Sequence, residues 1–127
     1  MTLKITHLKG AYKVKAEGMG LEIVSGKDEF DTSYSGLLPS DLLEMSLGLC
    51  QGLELAAYLN KRYNIEENGF TIYVRAQETG NLVEFIVDIN LHSDYNNRQK
   101  KAIMGVIERC GISDIIKRSH NVKINLK

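Results

Sequence analysis

The chain has no tryptophan, one proline and only two cysteines among its 127 residues. It also has no net charge, because sixteen lysines and arginines balance sixteen aspartates and glutamates. Each shortage removes a class of protein. A balanced chain carries no electrostatic footprint for nucleic acid or for an anionic membrane surface. No apolar run approaches the roughly 18 residues needed to span a bilayer. The opening MTLKITHLKG alternates polar and apolar residues, unlike the uninterrupted apolar core of a signal peptide, so the cytoplasm is the expected compartment. Cys50 and Cys110 stand far apart, with no C-x-x-C pair and no Cys/His cluster at zinc spacing, which disfavours a structural metal. A structural disulfide is disfavoured in a reducing compartment. Two readings of the thiols stay open: small buried hydrophobes, or a redox pair.

What is present describes a folded protein. Hydrophobic residues at 43% and charged residues at 25% match a globular composition rather than a disordered one. The length suits one domain, residues 1–127. Residues 2–8 and 11–17 alternate around Lys9-Gly10, which predicts a hairpin. Gly18-Met19-Gly20 marks a second turn before a strand at about 21–25, and 26–38 reads as a loop. Pro39 suits the first turn of a helix, where its missing N–H is unneeded, and Asp41 and Glu44 suit the positive end of the helix dipole. That helix should run to about Arg62. Its apolar stripe is Leu43, Leu47, Cys50, Leu53 and Ala57, widened by Leu42, Met45, Leu49, Ala56 and Leu59 until it should lie nearly central.

Phe70, Ile72, Val74 and Ala76 alternate with polar neighbours, as do Val83, Phe85, Val87, Ile89 and Leu91. The intervening ETGN makes these two strands a hairpin. A second helix should start at Asn96 or Asn97, both good caps, and bury Ala102, Ile103, Val106, Ile107 and Cys110. Gly111 breaks it, Ser113-Asp114 can cap a short further helix, and Val122, Ile124 and Leu126 predict a final strand. The order β-β-β-α-β-β-α-(short α)-β is α+β.

The residues that carry chemistry are few. A reactive thiol needs a cation or a helix N-terminus nearby to lower its pKa. The nearest basic residue to Cys50 in sequence is Lys61, so such a group must arrive through folding. Gly48, Gly52 and Ala56 form a small-residue stripe, which predicts close approach by another helix, in this chain or in a second subunit. His7, His92 and His120 lie in or beside predicted strands without acidic partners and read as solvated or structural. Glu54 reads as a solvent or interface residue, and Arg98, Lys100 and Lys101 as a solvated helix face. No phosphate loop, Ser/His/Asp arrangement or dinucleotide fingerprint occurs.

Two motifs resemble the superfamily of osmotically inducible protein C and organic hydroperoxide resistance proteins (OsmC/Ohr). Pro39-Ser40-Asp41-Leu42-Leu43, with Leu47-Gly48-Leu49-Cys50 ending nine residues after the acid, is similar to that family's "Ser-Pro-x-Glu-Leu-Leu" and "Leu-Gly-Gly-Cys". Cys110-Gly111-Ile112-Ser113 is similar to its "Cys-Pro-Val-Ser". The element order agrees across nearly the whole chain, and the sequence looks nearest to the divergent OsmC-like branch.

The resemblance implies an intertwined homodimer with packed central helices and sites at the subunit interface. It implies thiol peroxidase chemistry in defence against oxidative stress. Cys50 would attack a hydroperoxide and become a sulfenic acid, Cys110 would resolve it as a disulfide, and a dithiol, such as a lipoyl group, would reduce that disulfide. Three features differ from the family pattern. No arginine precedes Arg62, leaving Lys13, Lys15 or Lys27 to replace the family arginine without its planar fork. The acid is Asp41, about 13 Å from Cys50 along a straight helix, and so a site-organising candidate. Leu38 stands where the family often has a capping serine. A second function class therefore stands beside the peroxidase: a non-catalytic dimer binding a small apolar ligand or thiol at the subunit interface.

Overall fold

A computed structural model describes residues 3–10, 12–27, 34–36, 38–118 and 121–127. The chain divides into two compact units, Met1–Leu43 and Glu44–Lys127.

The first unit is an antiparallel meander of β1 (Lys4–His7), β2 (Lys13–Gly18), β3 (Leu21–Lys27) and β4 (Tyr34–Gly36), in that spatial order. Gly18 pairs with Leu21, so Met19-Gly20 is a two-residue loop. Both loop residues have positive φ, 50° and 77°, the geometry whose twist matches that of the flanking strands. The His7 ring bonds to the Gly10 carbonyl at 3.0 Å and tightens the first hairpin, a structural role. Ile5 faces Ala16, and Ala16 faces Ile23, so these side chains share one sheet face. Lys15 serves the opposite face, with its Nζ 3.4 Å from Glu17 and 3.8 Å from Glu22. The predicted loop over 26–38 is corrected in part, since β3 extends to Lys27 and β4 pairs Lys27 with Tyr34. Sequence alone missed this because a three-residue strand is shorter than one alternation pattern.

The second unit is built on α1 (Pro39–Tyr63), whose first residues belong to the first unit. The helix ends at Asn64, a left-handed residue with φ 56°, a conformation that asparagine tolerates. The buried stripe is Leu47, Gln51, Leu55 and Leu59, at strict four-residue spacing. Leu55 and Leu59 form the core with Ile103 and Ile107, against which Phe70, Ile89, Leu91 and Tyr95 pack. The expected stripe is therefore corrected: only Leu47 of its five members is buried, while Leu53 is 73% exposed and Leu49 62%. Partners packed on a helix choose its buried angle, and an apolar surface this wide leaves several angles open.

Strands β5 (Phe70–Thr79) and β6 (Leu82–Leu91) form the predicted hairpin, pairing Phe70 with Leu91 through Thr79 with Leu82, so that the turn is shorter than the expected 78–81. Gly80, φ 62°, takes the first loop position. The glycines of α1 face this hairpin. A Cβ on Gly48 would lie 2.9 Å from Val74 Cγ2, and one on Gly52 would lie 3.7 Å from Ile72 and Phe70. Within this chain, the element that approaches these glycines is a strand rather than the expected helix.

His92 donates its backbone N–H to the Gly69 carbonyl, and its ring bridges Thr71 Oγ1 and the Asn68 carbonyl, each at 2.8 Å. That fixes the loop before β5, a structural use of the histidine. His120 lies outside the described residues. α2 (Asn97–Ile107) opens on a capping box, with Asn96 Oδ1 accepting from Gln99 N–H and Gln99 Oε1 from Asn96 N–H. α3 (Gly111–Lys117) follows after a three-residue break. Residues 121–127 form no strand, and Val122, Ile124 and Leu126 are 79%, 84% and 98% exposed. The predicted last strand is corrected accordingly. An alternating segment becomes a strand only where a sheet edge offers backbone partners, and no described strand of this chain pairs with it.

Candidate active site

The two cysteines meet in the second unit. Cys50 lies on α1, half-buried, while Cys110 leaves α2 and is 0% exposed. Both thiols are free. Cys110 has extended backbone (φ −60°, ψ 123°) and caps α3, its sulfur accepting from the Ser113 N–H at 3.4 Å. The expected cap at Ser113-Asp114 is thereby moved three residues upstream. A thiol sulfur is a weak acceptor, so propensity rules that rank oxygen caps overlook it.

The groups that act on the Cys50 thiol are the Cys110 thiol first, then the backbone N–H groups of Ile112 and Gly111. Together they hold the Cys50 thiol below the usual cysteine range, against partial burial and the negative charge of Glu54. Cys110 moves the other way. Burial and the proton it gives to Cys50 raise its pKa, while the N–H groups of Ser113 and Ile112 offset part of the rise. The result is an unequal pair, one sulfur prepared to lose its proton and one keeping it. A thiolate is the nucleophile, and a protonated thiol beside it is a second reductant.

The groups that lower the Cys50 pKa are a thiol and two backbone amides, not a side-chain cation. Among the sequence candidates for that cation, Lys15 is paired with Glu17 and Glu22 within its own sheet. Asp41, in the first unit, accepts from the Leu38 N–H at 3.0 Å and so supplies the acidic half of a capping box at the start of α1. Sequence reasoning missed the donors at Gly111 and Ile112 and the opposing charge of Glu54. One signal was present. Gly111 occupies the proline position of the motif it resembles, and proline favours the first residue of a helix. Unlike proline, Gly111 has an N–H to give.

The α+β frame carries one free thiol on α1 and a second, buried one between α2 and α3. The model of the OsmC-like protein family matches residues 30–126, and the chain belongs to that family. It is a family generally associated with thiol-based peroxidase activity. No curated protein matches the chain. Two crystal structures share the fold. One is a proposed osmotic stress induced and detoxification response protein of Psychrobacter arcticus 273-4, with TM-score 0.69, 19% identity, and coverage of 91% of this chain and 87% of that one. The other is a proposed redox protein of Lactobacillus casei ATCC 334, with TM-score 0.54, 22% identity, and coverage of 92% and 83%. No helix among the described residues is long and apolar enough to cross a membrane.

Proposed function

We propose that the chain is one OsmC-like domain, residues 1–127, acting in the cytoplasm as a thiol peroxidase on organic hydroperoxides. The observation that carries this reading is a free thiol on α1, Cys50, with its pKa lowered, beside the buried free thiol of Cys110, with its pKa raised. Cys50 attacks as thiolate and takes the terminal peroxide oxygen; the O–O bond breaks and the alcohol leaves after gaining a proton. The resulting sulfenic acid is attacked by Cys110 as thiolate, which forms the disulfide and expels hydroxide, protonated to water. A dithiol, of which lipoyl groups are one kind, returns both sulfurs to thiols. Asp41 acts as a positioning residue through the start of α1. The detoxification and redox descriptions of the two fold relatives agree with this assignment.

The assembly in this reading is a homodimer. Leu49 and Leu53 on α1, and Ile5 and Ile23 on the N-terminal sheet, are large apolar side chains left exposed in the single chain. Burying such surface is worth roughly 25 cal/mol per Å², and a second copy is the partner that the resemblance implies.

The test mixes reduced protein with cumene hydroperoxide and a dithiol, following peroxide loss and intact mass. Wild type should consume peroxide and, without dithiol, lose two hydrogens, whereas Cys50→Ser should do neither. Equal peroxide loss in both proteins, with no disulfide in wild type, would refute the peroxidase. The favoured reading would then be a non-catalytic dimer binding a small apolar ligand or thiol, which the lack of a cation among the described groups lowering the Cys50 pKa supports.

A further inference from the structure

Gln51 is 8% exposed, and its Oε1 is shut from solvent without a hydrogen-bond partner. Leaving a buried acceptor unpaired costs roughly 1–3 kcal/mol. Nothing in the packing calls for it. Leu47, Leu55 and Leu59 occupy the other steps of the same four-residue ladder, and an apolar residue would complete it without that cost. Two other oxygens are orphaned, Thr6 Oγ1 and the Tyr95 hydroxyl, but neither residue adjoins a cysteine. Gln51 directly follows Cys50.

Its place in the fold points the same way. Adjacent helical residues project about 100° apart, so Gln51 flanks Cys50 on the core side rather than stacking on it. One turn further on, Leu55 shares the core cluster with Ile107. Three residues after Ile107 stands Cys110, fully buried and hydrogen-bonded to Cys50. Gln51 on α1 and Cys110 after α2 thus border the core cluster that these two helices share.

We propose that Gln51 is a substrate-binding residue of the thiol site, its carboxamide taking the –O–OH group of an organic hydroperoxide beside Cys50. The inference rests on the peroxidase reading. The chemistry is complementary: the hydroperoxide has one O–H donor and two acceptor oxygens, and the carboxamide has one acceptor and an NH2 donor. Oε1 accepts from the terminal O–H while Nε2 donates to the inner oxygen. When the Cys50 thiolate attacks the terminal oxygen, an S–O bond forms, the O–O bond breaks, and the sulfur is oxidised by two electrons. Negative charge then gathers on the inner oxygen, where the Nε2 donor stabilises it until one proton arrives and the alcohol leaves. The sulfenic O–H keeps Oε1 as its acceptor. An electrophile without any hydrogen-bonding group gains nothing from Gln51.

That contrast supplies the test. Gln51→Met keeps the length and removes both polar atoms, and Gln51→Leu extends the ladder if methionine folds poorly. Urea unfolding, alkylation of Cys50 by ethyl iodide, and single-turnover oxidation by cumene hydroperoxide are measured on the full chain. The variant should be at least as stable as wild type, alkylate within about twofold of it, and oxidise roughly 10–100-fold more slowly. An oxidation rate within about twofold of wild type overturns the assignment, as does a parallel fall in alkylation, which would mark a structural role. A wild type that does not oxidise Cys50 overturns the peroxidase reading and this one together; unchanged oxidation in the variant overturns this one alone.

Discussion

Gly48 and Gly52 occupy successive turns of α1, yet adding one methyl group should have opposite effects at the two sites. Alanine in a helix interior is favoured over glycine by about 1 kcal/mol. At Gly52 the new Cβ would meet Ile72 and Phe70 at 3.7 Å, an ordinary contact, so Gly52→Ala should gain most of that amount. At Gly48 the Cβ would lie 2.9 Å from Val74 Cγ2. Carbon atoms settle at roughly 3.5–4.0 Å, and the overlap falls on a β-branched side chain with little rotamer freedom. Forced shifts of this kind cost roughly 1–3 kcal/mol. Gly48→Ala should therefore be neutral to about 2 kcal/mol destabilising, after the propensity gain is subtracted. The assay is urea unfolding at one fixed protein concentration, since association would add a mass-action term. Repeating it in a Val74→Ala background completes a double-mutant cycle, in which the loss at Gly48 should turn into a gain. If Gly48→Ala stabilises as much as Gly52→Ala, or the cycle shows no coupling, the strand contact does not explain the glycine.

Cys110→Ala removes the first donor to Cys50, so Cys50 alkylation should require higher pH than in wild type, read as the midpoint of the iodoacetamide rate against pH. The linked stability has opposite signs for the two thiols. The contribution of Cys50, whose pKa is lowered, is present above the ordinary thiol range and is lost as pH falls through the depressed value. That of Cys110, whose pKa is raised, is complete below the ordinary range and is lost as pH rises through the elevated value. Glu54→Gln should lower the Cys50 midpoint and speed alkylation at neutral pH, because it removes the charge that opposes the thiolate; an unchanged midpoint would contradict this. Leu49→Lys with Leu53→Lys should convert a dimer to monomer in sedimentation while leaving the monomer fold intact, since both side chains are exposed in the single chain. A dimer that survives both changes would place the interface elsewhere.

Most local elements of this chain are legible from residue pattern. Alternation marked β1, β2, β3, β5 and β6, Pro39 and Asn96 marked the helix starts, and two motifs marked the cysteines as a pair. These features depend on neighbours a few residues apart, which a sequence displays directly. The tertiary structure decided which angle of α1 is buried, because Leu49 and Leu53 are as apolar as Leu55 and Leu59 and only the packing of α2 and β5 separates them. It also decided what faces the glycines, a strand rather than a helix. The lowering of the Cys50 pKa belongs to the same level. Its acidity comes from donors that lie some sixty residues away in sequence, two of them backbone amides. Every residue but proline carries such an amide, so no choice of side chain announces where one will point. Gln51 is the reverse case: its identity was plain on an apolar ladder, and its lack of a partner became visible only once the ladder was buried.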